Sequence, residues 1–134
     1  MTTITEDYVS FETAKLLKEK GFPLPSTNFE DWVFCMYDEN GDIQWGCYHP
    51  DYYCRVTLQM AMKWLRIEHN IHIEPHIVKT KYSYGYMPNY INLKELKQHF
   101  PFDEVDFSNI DKYVYITYDK ACEVSIKYCL ENLI

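Results

Sequence analysis

The chain has 134 residues, 47% of them apolar and 25% charged, with a net charge of −7 and a pI near 5.1. This suits a single globular domain spanning 1–134 and excludes a disordered chain, which would have fewer than 17% aromatic residues. The acidic balance argues against nucleic acid as a partner, because Lys79 and Lys81 are too few for an electrostatic footprint; it reads as solubility or as an acidic surface for a basic partner.

Residues 1–7 lack the basic start and apolar centre of a secretion signal. No apolar run approaches the roughly 20 residues of a membrane span, so no membrane association is expected. The five cysteines (Cys35, Cys47, Cys54, Cys122 and Cys129) are odd in number and contain no Cys-x-x-Cys. A reduced, cytoplasmic protein with free thiols follows.

In chain order, the first element is a helix over 10–20. Ser10 is its N-cap, Phe11, Ala14 and Leu17 share a face, and Gly21 is the stop. The aromatic and β-branched stretch 32–37 predicts a strand. A turn at Asp38–Gly41 follows, with positive φ at both Asn40 and Gly41, and a second strand over 43–48. Residues 49–53 read as an irregular connection. Helix two runs from Thr57 to about His69, with Leu58, Ala61, Met62 and Leu65 inward, Trp64 and Ile67 widening the face, and Asn70 left-handed at its end.

Ile71, Ile73 and Ile77 alternate with His72, Glu74 and His76, which predicts a strand with one buried face and Pro75 at an edge or bulge. Residues 81–86 alternate again. Residues 93–100 read as a short helix, 101–111 as irregular and acidic, and 113–116 as a strand. The last helix runs from Thr117 onward, with Cys122, Ile126, Cys129, Leu130 and Leu133 inward.

All three main helices begin alike. Val9-Ser10 stands before Ala14, Val56-Thr57 before Ala61, and Ile116-Thr117 before Ala121. The hydroxyl caps a first-turn N–H, and the preceding apolar residue packs as a staple on the alanine. Either a duplicated β-β-α unit or shared cap chemistry produces such likeness. The order α-β-β-α-β-β-(α)-β-α, with links too short for parallel crossovers, predicts an α+β fold: an antiparallel sheet of four to five strands with three main helices packed on it.

Three constellations bear on chemistry. His69, His72 and His76 have the residue types of a metal site. In the strand reading, however, His72 and His76 lie about 13 Å apart, too far for one ion. Cys47 and His49 are the best nucleophile–base pair, placed on one face of strand two. Glu104 and Asp106 read as solvated charge. None amounts to a catalytic, cofactor or metal motif, so no cofactor is expected. Tyr82, Tyr84 and Tyr86 project from one face of their strand. They are either core, which the empty Gly85 opposite favours, or an exposed partner surface. Tyr52 and Tyr53, with Tyr48, form a second cluster open to the same two readings.

Residues 8–22 (YVSFETAKLLKEKGF), 57–66 (TLQMAMKWLR) with 69–71 (HNI), and Ala121 with 126–134 (IKYCLENLI) resemble a family of small uncharacterised proteins found in gut anaerobic bacteria and their phages. The resemblance covers about a third of the chain and carries no activity. It implies a phage, prophage or mobile-element protein, in which 88–111 is an insertion relative to shorter members. The expected function is a non-enzymatic protein-binding module using Tyr82, Tyr84, Tyr86, Tyr52 and Tyr53. The alternative is a small enzyme or metal-binding protein using Cys47 and His49, or His69, His72 and His76.

Overall fold

The computed structural model describes residues 7–23, 34–46 and 48–134. Most of the expected 22–30 loop, the first two residues of the expected 32–37 strand, and Cys47 lie outside them. The described elements are α1 (Phe11–Glu19), β1 (Phe34–Tyr37), β2 (Ile43–Gly46), β3 (Tyr53–Cys54), α2 (Leu58–His69), β4 (Ile71–Ile73), β5 (His76–Lys79), β6 (Tyr84–Met87), β7 (Tyr90–Asn92) and β8 (Lys97–His99). A 3-10 helix (Phe107–Tyr113) and α3 (Tyr118–Asn132) complete the order.

The three helix starts are those of the sequence. Hydroxyls of Ser10, Thr57 and Thr117 accept from the N–H groups of Thr13, Met60 and Lys120 at 3.3, 3.1 and 3.1 Å. The staples are less uniform. Val9 is fully buried and Val56 packs on the core, but Ile116 is 90% exposed and staples nothing. At the end of α1, Phe22 N–H reaches the Leu17 carbonyl and Gly21 N–H the Lys18 carbonyl. This closure requires the positive φ of +89° that Gly21 adopts. Asn70 ends α2 in the left-handed region (φ 56°).

The fold is α+β and every strand pair is antiparallel. The strands do not form one layer. Among the described residues they divide into three small sheets, β2-β1-β3, β4-β7-β8 and β5-β6. Tyr53, the last residue of the expected 49–53 connection, begins β3. The Asp38–Gly41 turn has positive φ only at Gly41 (+86°). The Asp38 carboxylate accepts from the Asn40 and Asp42 N–H groups, holding Asn40 in an ordinary conformation.

The expected strand through Ile77 is broken at Glu74–Pro75. Asn89, fully buried, exchanges backbone and side-chain hydrogen bonds with Glu74 (3.0 and 3.1 Å) and fixes the break. Alternation restarts beyond it, so Ile71 and Ile73 are buried whereas Ile77 is 72% exposed. The expected helix over 93–100 is a reversal into β8. The Asn92 side-chain oxygen accepts from the N–H groups of Lys94 and Glu95, and Leu96 takes φ +56°. Such local side-chain bonding competes with a helix. Residues 113–116 form no strand, only a bridge from Tyr115 to Tyr86, and the 3-10 helix occupies part of the stretch expected to be irregular.

Most buried apolar side chains among the described residues form one cluster. α3 packs on α1, α2, β4 and β6, and Cys122, Ile126, Cys129 and Leu130 are fully buried against Leu17, Leu65 and Ile71. Burying each large aliphatic side chain contributes about 1.5–3 kcal/mol. Burial pushes the Cys122 thiol up to about 11 and that of Cys129 up to about 12, so both act as small apolar groups. Leu133 and Ile67, expected inward, are 45% and 59% exposed; the first lies past the last turn of α3 and the second falls off the packed stripe of α2. Among the described residues no helix is long and apolar enough to cross a membrane.

Candidate functional site

The β5–β6 hairpin carries the tyrosine row. Its β-branched and aromatic residues suit strands. Its turn is closed by Thr80 N–H donating to the Ser83 carbonyl (2.9 Å) and Ser83 N–H to the Thr80 hydroxyl (3.1 Å). Cross-strand pairs are His76 with Met87, Ile77 with Tyr86, Val78 with Gly85 and Lys79 with Tyr84. One face therefore holds Val78, Gly85 and Met87, and the other Ile77, Tyr84 and Tyr86.

Gly85 decides which face is buried. A Cβ there would collide with the Val114 side chain and stand 2.8 Å from the Tyr115 carbonyl oxygen. The segment following the 3-10 helix lies directly on Gly85, and Tyr115 exchanges both backbone hydrogen bonds with Tyr86 (2.8 and 2.9 Å). The emptiness of Gly85 thus admits another backbone. It does not mark the solvent side, and the core reading of the tyrosines is reversed. Tyr82 is 89% exposed and Tyr84 62%. Tyr84 meets half-buried Tyr86 edge-on at 6.2 Å, Tyr86 meets Tyr118 at 5.8 Å, and Ile116 stands exposed beside them in sequence. Burial pushes the Tyr118 hydroxyl up to about 12, so that group stays neutral at ordinary pH.

Tyr52 and Tyr53 have other neighbours. Tyr53 packs edge-on against Phe11 at 5.7 Å, with the Lys18 ammonium 5.0 Å from its ring. Tyr52 stacks on His49 at 4.0 Å. Tyr48 and Tyr52 line a small apolar cavity of about 190 Å³ with Leu17, Phe22 and Cys54. Burial raises the Cys54 thiol, which opposes nucleophilic character. Cys47 lies outside the described residues, and the His49 Nδ1 accepts from the Asp51 N–H (3.1 Å).

The histidines are separated. His69 meets the Trp64 ring edge-on at 4.6 Å, His72 stands 3.5 Å from the Glu74 carboxylate, and His76 belongs to a different sheet. Among the described residues, no three His, Cys, Asp or Glu side chains form a group that could hold a metal ion. Asp106 is exposed and caps the 3-10 helix through the Ser108 hydroxyl and N–H, which hold its carboxyl below the ordinary value. The Glu104 carbonyl accepts from the Tyr113 hydroxyl (3.2 Å).

A cleft of about 440 Å³ lies where the helix starts meet. An antiparallel bridge between Tyr8 and Thr57 joins the starts of α1 and α2. Arg55 stacks 4.2 Å from the Tyr8 ring centroid and donates to the Cys35 sulfur (3.2 Å). From α3, Glu123 Oε1 accepts from Ser10 N–H (3.0 Å) and the Thr13 hydroxyl (2.6 Å), leaving buried Oε2 with no protein partner among the described residues. Burial, together with hydrogen bonding and repulsion from Asp7, raises the Asp119 carboxyl. The sequence carries no signal for this cleft, because its residues come from four separate segments with no common motif. Of its carboxylates, that of Glu123 secures the start of α1.

None of the known protein families, curated proteins or solved structures compared with the chain matches it.

Proposed function

We propose that the protein is a non-enzymatic binding module that engages another protein through the outer face of the β5–β6 hairpin. One observation carries this reading. Tyr84 and Ile77 stand 62 and 72% exposed on a sheet whose other face is packed, and Tyr82 is 89% exposed in the turn that joins its strands. Large rings that remain in water at a rigid site are the usual anchors of protein interfaces, since they bury much area while losing little side-chain freedom. The resemblance to small proteins of gut anaerobes and their phages supports a mobile-element origin, with a host protein as the partner.

The test is capture on the immobilised chain from a lysate of its source cells, followed by titration of the purified captured protein. A Tyr82→Ser/Tyr84→Ser variant with unchanged melting temperature should lose affinity at least about tenfold. Undiminished binding by that variant removes the hairpin face from the reading. Selective fast alkylation of Cys47, or metal retained on purification, would instead favour an enzyme or metal-binding protein.

A further inference from the structure

The hairpin has a second property besides its exposed rings. Thr80 and Ser83 form a hydrogen-bonded pair at the turn. Bonded and non-bonded pairs alternate along an antiparallel ladder, so Val78/Gly85 and His76/Met87 are bonded pairs. The backbone groups of Lys79/Tyr84 and Ile77/Tyr86 point away from the hairpin. Tyr86 confirms this phase on the β6 side, where its N–H and carbonyl go outward to Tyr115. On β5 the N–H and carbonyl groups of Ile77 and Lys79 therefore line the opposite edge. Among the described residues no strand pairs with that edge.

An unpaired edge with two residues' donors and acceptors in register is a template for one more strand. The side chains of Ile77 and Lys79 lie on the same face as Tyr84 and Tyr86, their cross-strand neighbours. An added strand would thus satisfy the edge and set alternate side chains beside the exposed face.

We propose that β5 accepts an extended segment of a different protein as a third strand, with apolar residues alternating toward Ile77 and basic residues in its flanks. This rests on the reading of the hairpin as a partner surface and specifies its mode. The charge of −7 on each chain makes copies repel, which argues against a second copy as the occupant and favours a segment with basic flanks.

The experiment selects a random dodecapeptide display library on the full chain, then measures amide exchange with the best synthetic peptide at saturation. Expected are peptides of alternating apolar pattern with basic ends, and about tenfold or greater slowing of the Ile77 and Lys79 amides. Ile77→Pro removes an outward donor without breaking a ladder bond, and should weaken the peptide about tenfold. Should that variant fail to fold, Lys79→Pro asks the same question of the other outward donor. No enriched peptide, or a bound peptide that leaves both amides exchanging freely, overturns the proposal. If Tyr82→Ser/Tyr84→Ser abolishes binding of such a peptide, the tyrosine face stands and strand addition falls. If both amides are protected and the tyrosine variant binds normally, strand addition stands and the tyrosine face falls. Sedimentation showing a dimer with both amides protected would make the occupant a second copy and also overturn the proposal.

Discussion

Glu123 does for α1 what an acidic residue at position 13 would otherwise do locally. In a capping box the third helical residue reaches back to the N-cap N–H. Here that residue is Thr13, too short for the task, and its hydroxyl donates instead to Glu123, which also takes Ser10 N–H. Glu123→Ala should therefore cost about 2 kcal/mol, as charge-assisted bonds are lost and a buried donor is left unmet, read from denaturant unfolding. Asp119 shows the opposite balance. Its carboxyl is raised from 3.8 by burial and by Asp7. The folded protein thus holds this proton more tightly than the unfolded chain does. The stabilisation is full below the unfolded value and is lost as pH rises through the folded one. Asp119→Asn should melt higher than the parent at about pH 7, with the advantage shrinking toward about pH 4; equal shifts at both would show that the carboxyl is not strained.

Among the elements, the three main helices are legible and the division of the strands into small sheets is not, for one physical reason. A cap is a bond between residues three apart, so Ser10, Thr57 and Thr117 announce their helices locally. Ser10→Ala, Thr57→Ala and Thr117→Ala should each cost about 1 kcal/mol in unfolding free energy. The hairpin depends on a distant segment. Alternation placed Tyr82, Tyr84 and Tyr86 together, but only the approach of Val114 and Tyr115 to Gly85 decides which side meets water. Gly85→Ala should destabilise by about 2 kcal/mol, because a methyl group there has no room without moving a backbone; an unchanged melting temperature would mean that this contact is loose. Likewise the Glu74–Pro75 break is held by Asn89, and the reversal after β7 by the Asn92 side chain. Neither competes visibly in a pattern of apolar residues. The cleft at the helix starts is more remote still, assembled from side chains that share no local spacing.

At the scale of the molecule, α3 is the common support. It touches both other helices and two of the three sheets. Its Leu130 is fully buried within the core cluster. Leu130→Ala should remove about 3 kcal/mol and shift helix and aromatic signals together in one transition. Separate transitions would show that the β5–β6 hairpin folds apart from the helical core.

The bonds that secure α1 span nearly the entire chain: Glu12 to Lys127 at 2.6 Å, Ser10 and Thr13 to Glu123, and the Lys20 ammonium to the Ile134 carbonyl at 2.8 Å. This has a consequence for biosynthesis. A ribosome adds about 5–20 residues each second, so α1 emerges several seconds before any of these anchors exists. Its nine residues are too few to persist as a helix in water unaided. α1 therefore stays open to proteases and chaperones until α3 has been made and has folded onto it, so a helix synthesised more than 100 residues earlier waits for its anchors.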